Sequence, residues 1–127
     1  MNKFSGLLKV IFHIFNLGLI LFYLYPGSLF GYLLYRDFQK QPQITNNFLN
    51  ISSNHFYAFI FLSILGILAH LKDKKINLVI KYLFLLSITL ELLHLIIPQR
   101  SYETGDLFGN ILGVIVIFIL FKILKKN

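Results

Sequence analysis

Four long apolar runs occupy most of this 127-residue chain. A helix that crosses the hydrocarbon core of a bilayer needs about 20 mostly apolar residues. The runs at about 4–25, 55–71, 78–97 and 106–121 meet that need. Each is closed by a breaker or by charge: Pro26-Gly27, the KDKK of Lys72–Lys75, Pro98, and Lys122. Backbone polar groups in lipid must be satisfied within their own segment, so helices are expected rather than strands. Charged residues make up only 13% of the chain, about half of the ~25% usual for a soluble domain. The expected fold is therefore all-α: one polytopic membrane domain, residues 1–127, with four transmembrane helices.

The net charge of +7 would suggest nucleic acid in a soluble protein. Here the basic residues cluster at the ends of apolar runs, so topology explains them and no nucleic-acid partner is expected. With the N-terminus in the cytoplasm, Lys3, Lys9, Lys72, Lys74, Lys75, Lys81, Lys122, Lys125 and Lys126 share that side. Arg36, Lys40 and Arg100 fall on the other. The positive-inside rule then gives both termini inside, and the expected location is a membrane that the chain crosses several times. The first run starts basic, as a signal peptide does, but no small-residue cleavage pattern follows Tyr25-Pro26, so it is expected to stay as a helix. There is no cysteine, which excludes disulfides and thiolate chemistry. The long stretch 26–54 reads as a connector, with the aromatic Phe30–Phe38 segment at the outer interface.

The window from 91 to 113 reads ELLHLIIPQRSYETGDLFGNILG and holds three of the five acidic residues of the chain, Glu91, Glu103 and Asp106. Glu91 lies roughly 10 Å below the end of its helix at Pro98, and Asn110 roughly 6 Å into the next, at 1.5 Å per residue. The two should meet at similar depth. Glu91 and His94, at i and i+3, share one face; Asp106 and Asn110, at i and i+4, share another. A carboxylate in a membrane helix costs roughly 2.5–3.5 kcal/mol. Pairing with Arg100, or hydrogen bonds to His94 and Asn110, would offset that cost. His55, starting the second helix, belongs to the same end. His13, Asn16 and His70 lie elsewhere and are expected to be structural. Gly105, Gly109 and Gly113 recur every fourth residue, a seam that lets another helix approach closely; a second copy of the chain is one candidate partner.

The order and spacing of Glu91, Pro98, Arg100, Asp106, Asn110 and Gly113 resemble the signature window of the VanZ-like family of small bacterial membrane proteins. His55-Phe56-Tyr57-Ala58-Phe59 resembles a second, weaker stretch of that family. There are two departures: His94 stands where the family has glutamine, and Ile51-Ser52 stands where it has Asp-Lys. The family takes its name from a protein linked to resistance to the glycopeptide teicoplanin. The resemblance implies a bacterial inner-membrane location and a role in the cell envelope, exerted from the extracytoplasmic face.

Two functional readings follow. In the first, an outward-facing pocket binds or processes an anionic envelope lipid or peptide. Glu91, His94 and Asp106 would carry any proton chemistry there, and His55, Arg100 and Asn110 would hold the ligand. In the second, the same residues only clasp the hairpin of a non-catalytic membrane scaffold or interaction protein. A metal held by Glu91, His94 and Asp106, with His55 as a further ligand, is chemically reasonable, but no HExxH or paired-histidine spacing supports it. No metal or cofactor is expected.

Overall fold

The computed structural model describes residues 3–126. Five helices follow one another: α1 (Lys3–Leu24), α2 (Leu29–Tyr35), α3 (Ser53–His70), α4 (Ile76–Leu93) and α5 (Thr104–Lys126). All but α2 are long and apolar enough to cross a membrane. The chain is thus an all-α, multi-pass membrane protein, as its apolar runs required. Its perimeter is greasy: Leu7, Ile14 and Leu17 of α1, Leu85 of α4, and Leu120 and Ile123 of α5 are exposed. A monomeric soluble domain rarely leaves such a surface uncovered, whereas lipid covers it without cost.

Two boundaries differ from those the sequence suggests, and both have physical causes. The third span stops at Leu93 instead of running to Ile97. After it the amides of His94, Leu95 and Ile96 bond three residues back, to Glu91, Leu92 and Leu93. Pro98 disfavours helical geometry in the residue before it, so the helix tightens and ends early. The last helix runs to Lys126 instead of Phe121. Lysine is a good helix former, and Lys125 and Lys126 in the last turn complement the negative end of the helix dipole.

The stretch between α1 and α3 is more than a connector. Ser28 caps α2 by accepting the Gly31 amide at 2.9 Å, and Arg36 closes it in the left-handed conformation at φ 56°. The chain then folds over the start of α3. Asn54 donates to the Pro42 carbonyl at 2.6 Å and accepts from the Ile44 amide at 3.0 Å. Ser53 donates to the Thr45 carbonyl at 2.6 Å. Leu49 and Asn50, both at positive φ, form the tight turn that pairs Phe48 with Ile51.

Helix α3 is the central element, contacting α1, α4 and α5. Phe59 and Leu62 of α3, Leu83 of α4 and Val114 of α5 are at most 1% exposed and fill the core. The glycine seam of α5 rides on the start of α3. A Cβ on Gly109 would lie 2.7 Å from the Ser52 carbonyl oxygen, and one on Gly113 2.7 Å from that of Phe56. A Cβ on Gly105 would strike the Asn50 carbonyl. The close approach foreseen for this seam is therefore made within the chain. The helix that approaches the seam is α3.

At the end of the bundle where α1 begins, Lys9 pairs with Asp73 at 2.9 Å. Further along, Asn16 donates to the Tyr82 hydroxyl at 2.6 Å, and His70 Nδ1 bonds the Gly66 carbonyl at 3.0 Å.

Gly113→Ala should push α5 off α3, because backbone atoms cannot yield, and cost about 1–3 kcal/mol. Gly18→Ala, with nothing within 4 Å of its new Cβ, should leave stability unchanged or raise it by up to about 1 kcal/mol. Thermal unfolding in detergent separates the two. A second measurement concerns Asp73, whose carboxyl is held below 3.8 first by its hydrogen bond to Lys9 and then by the Lys75 amide. A lowered carboxyl pKa contributes stability that is full above pH 3.8 and lost as pH falls through the lowered value. Asp73→Asn should flatten that acid limb by lowering the neutral plateau slightly, while leaving stability below the lowered pKa unchanged.

Candidate functional site

The end of α1, the starts of α3 and α5 and the end of α4 meet at one end of the bundle. Antiparallel packing dictates this, and it gathers every polar residue singled out in the 91–113 window together with His55. Glu91 lies at its centre with 0% exposure. Its Oε1 accepts the Glu103 amide at 2.9 Å, so the carboxylate also caps the approach to α5. Its Oε2 lies 3.3 Å from His94 Nδ1 and 3.9 Å from His55 Nδ1. Neither contact has hydrogen-bond geometry. His55 turns its Nε2 toward Asp106 Oδ2 at 3.5 Å.

His94 donates from Nε2 to the Tyr23 carbonyl at 2.9 Å. The acceptor is a carbonyl, so Nε2 carries the proton. Burial works against the charged imidazole, but the Glu91 carboxylate and the Tyr23 carbonyl outweigh it and raise the His94 pKa above 6.5. His94 therefore takes up a proton beside Glu91 more readily than a free imidazole would.

Two expected contacts are absent. Arg100 does not pair with Glu91. Its Nε and Nη2 instead donate to the carbonyls of Tyr25 (3.0 Å) and Phe22 (2.7 Å). These are the unpartnered carbonyls at the end of α1, the natural target of a cation there. Asn110 does not reach Glu91 either. It accepts from the Tyr23 hydroxyl at 2.7 Å and donates to the Ser87 carbonyl at 3.1 Å, fully buried. It ties α1, α4 and α5 together.

Tyr23 is the residue that reading the sequence missed. It supplies a hydroxyl to Asn110 and a carbonyl to His94, and its ring lies 4.9 Å from that of His55 and 5.9 Å from that of His94. Its only signal was a polar-tipped aromatic near the end of α1, which interfacial tyrosines also give.

Two hollows open at this end. A polar one of about 420 Å³ is lined by Gln39, Asn47, Arg100, Glu103 and Asp106 among others. An apolar one of about 580 Å³ runs down between α1 and α3, past Phe15, Phe22, Ala58 and Phe61. His55 lines the second, while His94 and Arg100 line both. Ser28, Gln41, Gln43 and Asn54 also belong to both walls, so the hollows adjoin. Glu91 and Asn110 line neither hollow and stand behind the wall. The six sequence candidates thus divide into four that face a hollow and two that do not.

Comparison with protein-family models, curated proteins and solved structures returns no match.

Tyr23→Phe should leave the buried Asn110 oxygen without its donor. The expected cost is about 1–3 kcal/mol, the penalty for an unsatisfied buried acceptor. Thermal unfolding of the variant, beside that of a Tyr25→Phe control, measures it.

Proposed function

We propose that this protein binds an anionic membrane lipid at the extracytoplasmic end of its bundle. One observation carries the reading: a polar hollow and an apolar, lipid-facing groove share a wall, and Arg100 stands in that wall. An amphiphile needs that combination, a hydrated place for its headgroup beside an apolar path for its chain. Arg100 spends two of its N–H donors on α1 carbonyls, and a guanidinium has five. The remaining donors suit a phosphate or carboxylate in bidentate fashion. His55, His94 and Asp106 complete the polar wall and orient the headgroup.

The extracytoplasmic side follows from the lysine bias, which puts the opposite end of the bundle in the cytoplasm. Membership of the VanZ-like family is part of the same proposal. It rests on the spacing of Glu91, Pro98, Arg100, Asp106, Asn110 and Gly113, and it places the ligand among envelope lipids. Glu91 and Asn110 take the clasp role, since they face one another's helices rather than the hollows.

The test is lipid retention by the full chain in nanodiscs or by native mass spectrometry. Wild-type protein should retain phosphatidylglycerol in preference to phosphatidylcholine. Arg100→Ala should weaken that preference about tenfold or more, as expected for a lost charge-assisted bond of about 1.5–3 kcal/mol. Lys74→Ala, at the other end, should not. Equal retention of the two lipids by wild type, or no effect of Arg100→Ala in folded protein, would sink the proposal.

A further inference from the structure

Glu91 raises a problem that the lipid reading leaves open. Its side chain has 0% exposure, yet Oε2 has no hydrogen-bond partner. His55 Nδ1, 3.9 Å away, has none either. A buried carboxylate oxygen without a donor is costly, and the nearby guanidinium of Arg100 is committed to the carbonyls of α1. On the other side of the same imidazole lies a second carboxylate, Asp106, whose side chain is only 17% exposed. One ligand atom from each of His55, Glu91 and Asp106 falls within 4.8 Å of the other two. Two carboxylates so close in apolar surroundings call for positive charge between them.

From this geometry we infer that His55, Glu91 and Asp106 form a binding site for a divalent transition-metal ion. One imidazole and two carboxylates suit zinc or manganese, and three protein ligands with an open position are the arrangement of reactive rather than structural sites. The supporting shell is present. The Glu103 amide fixes Glu91 Oε1, which leaves Oε2 turned toward His55. His94 Nδ1, 3.3 Å from Oε2, is placed to give up its proton and add a fourth ligand. Asp106 lines the polar hollow, so an ion has a way in. Ligands to zinc sit about 2.0–2.2 Å from the metal, so atoms up to 4.8 Å apart must each draw in by roughly half an ångström or more, and the His55 ring, which turns Nδ1 to Glu91 and Nε2 to Asp106, must offer one nitrogen to both carboxylates. Asp106, the most exposed of them, is the one with room to move. The site does not depend on lipid binding, although an ion there would add a second anchor for an anionic headgroup.

The experiment uses full-length protein in detergent, stripped by a chelator and titrated with Zn²⁺, with Co²⁺ as a spectroscopic reporter. Wild type should bind one equivalent saturably, with a Co²⁺ absorption of low-symmetry N/O coordination. His55→Gln and Asp106→Asn should each weaken binding at least tenfold, while His13→Gln and His70→Gln should leave it unchanged. Melting of the metal-free forms checks that each variant folds. Should either site variant fail to fold, Asp106→Cys serves instead: in a chain without cysteine it must add a thiolate-to-cobalt charge-transfer band. Absence of saturable one-to-one binding by wild type overturns the site whatever the variants do. So does binding that survives unchanged in folded His55→Gln and Asp106→Asn, or a folded Asp106→Cys protein without the band.

Discussion

A carboxylate with no access to water inside an apolar bundle is the constraint from which the rest of this end of the molecule follows. Glu91 has to be answered by donors and by positive charge, and in a membrane helix its own backbone can offer neither. The donor comes from the Glu103 amide, just before α5, and two imidazoles on different elements, His94 and His55, stand against the other oxygen. Meeting one acid's needs therefore draws α3, α4 and the start of α5 to a common point. Asn110 performs the same service one layer deeper, between Tyr23 of α1 and Ser87 of α4.

That convergence is possible only because α5 lies unusually close to α3. The glycine seam places carbonyls of residues 50–56 where side chains would otherwise stand. The close contact carries Asp106, one residue beyond Gly105, up against His55. Packing chemistry and site chemistry are thus the same feature seen twice: without the small residues, the carboxylate and the imidazole would face each other across a gap.

The sequence was informative where physics acts along one helix. Span number, span length and the helical faces shared by Glu91 with His94 and by Asp106 with Asn110 all depend on local periodicity. It was uninformative where partners come from different helices. Nothing in the spacing of Tyr23 relates it to Asn110, eighty-seven residues away. Arg100 has a charged partner in its own window, Glu91, yet the carbonyls at the end of α1 lie nearer and cost less to reach. The possible metal ligands likewise show no motif, because each of the three sits on its own helix. The helix between Leu29 and Tyr35 was hidden by length, since seven residues leave little periodicity to detect.

Arg100 also has a mechanical meaning. Helix α1 is the most loosely embedded of the long helices, with only Phe12, Leu19 and Tyr23 buried. It forms one wall of the apolar groove. Its upper end is fastened by a guanidinium that reaches over from the loop between α4 and α5. The fastening consists of hydrogen bonds to uncharged carbonyls, and an anion competes for the same donors on better terms. An anion that drew the guanidinium away would unlatch the edge of the groove, so under the lipid reading proposed above one side chain would both meet the headgroup and set how wide the path for the chain stands.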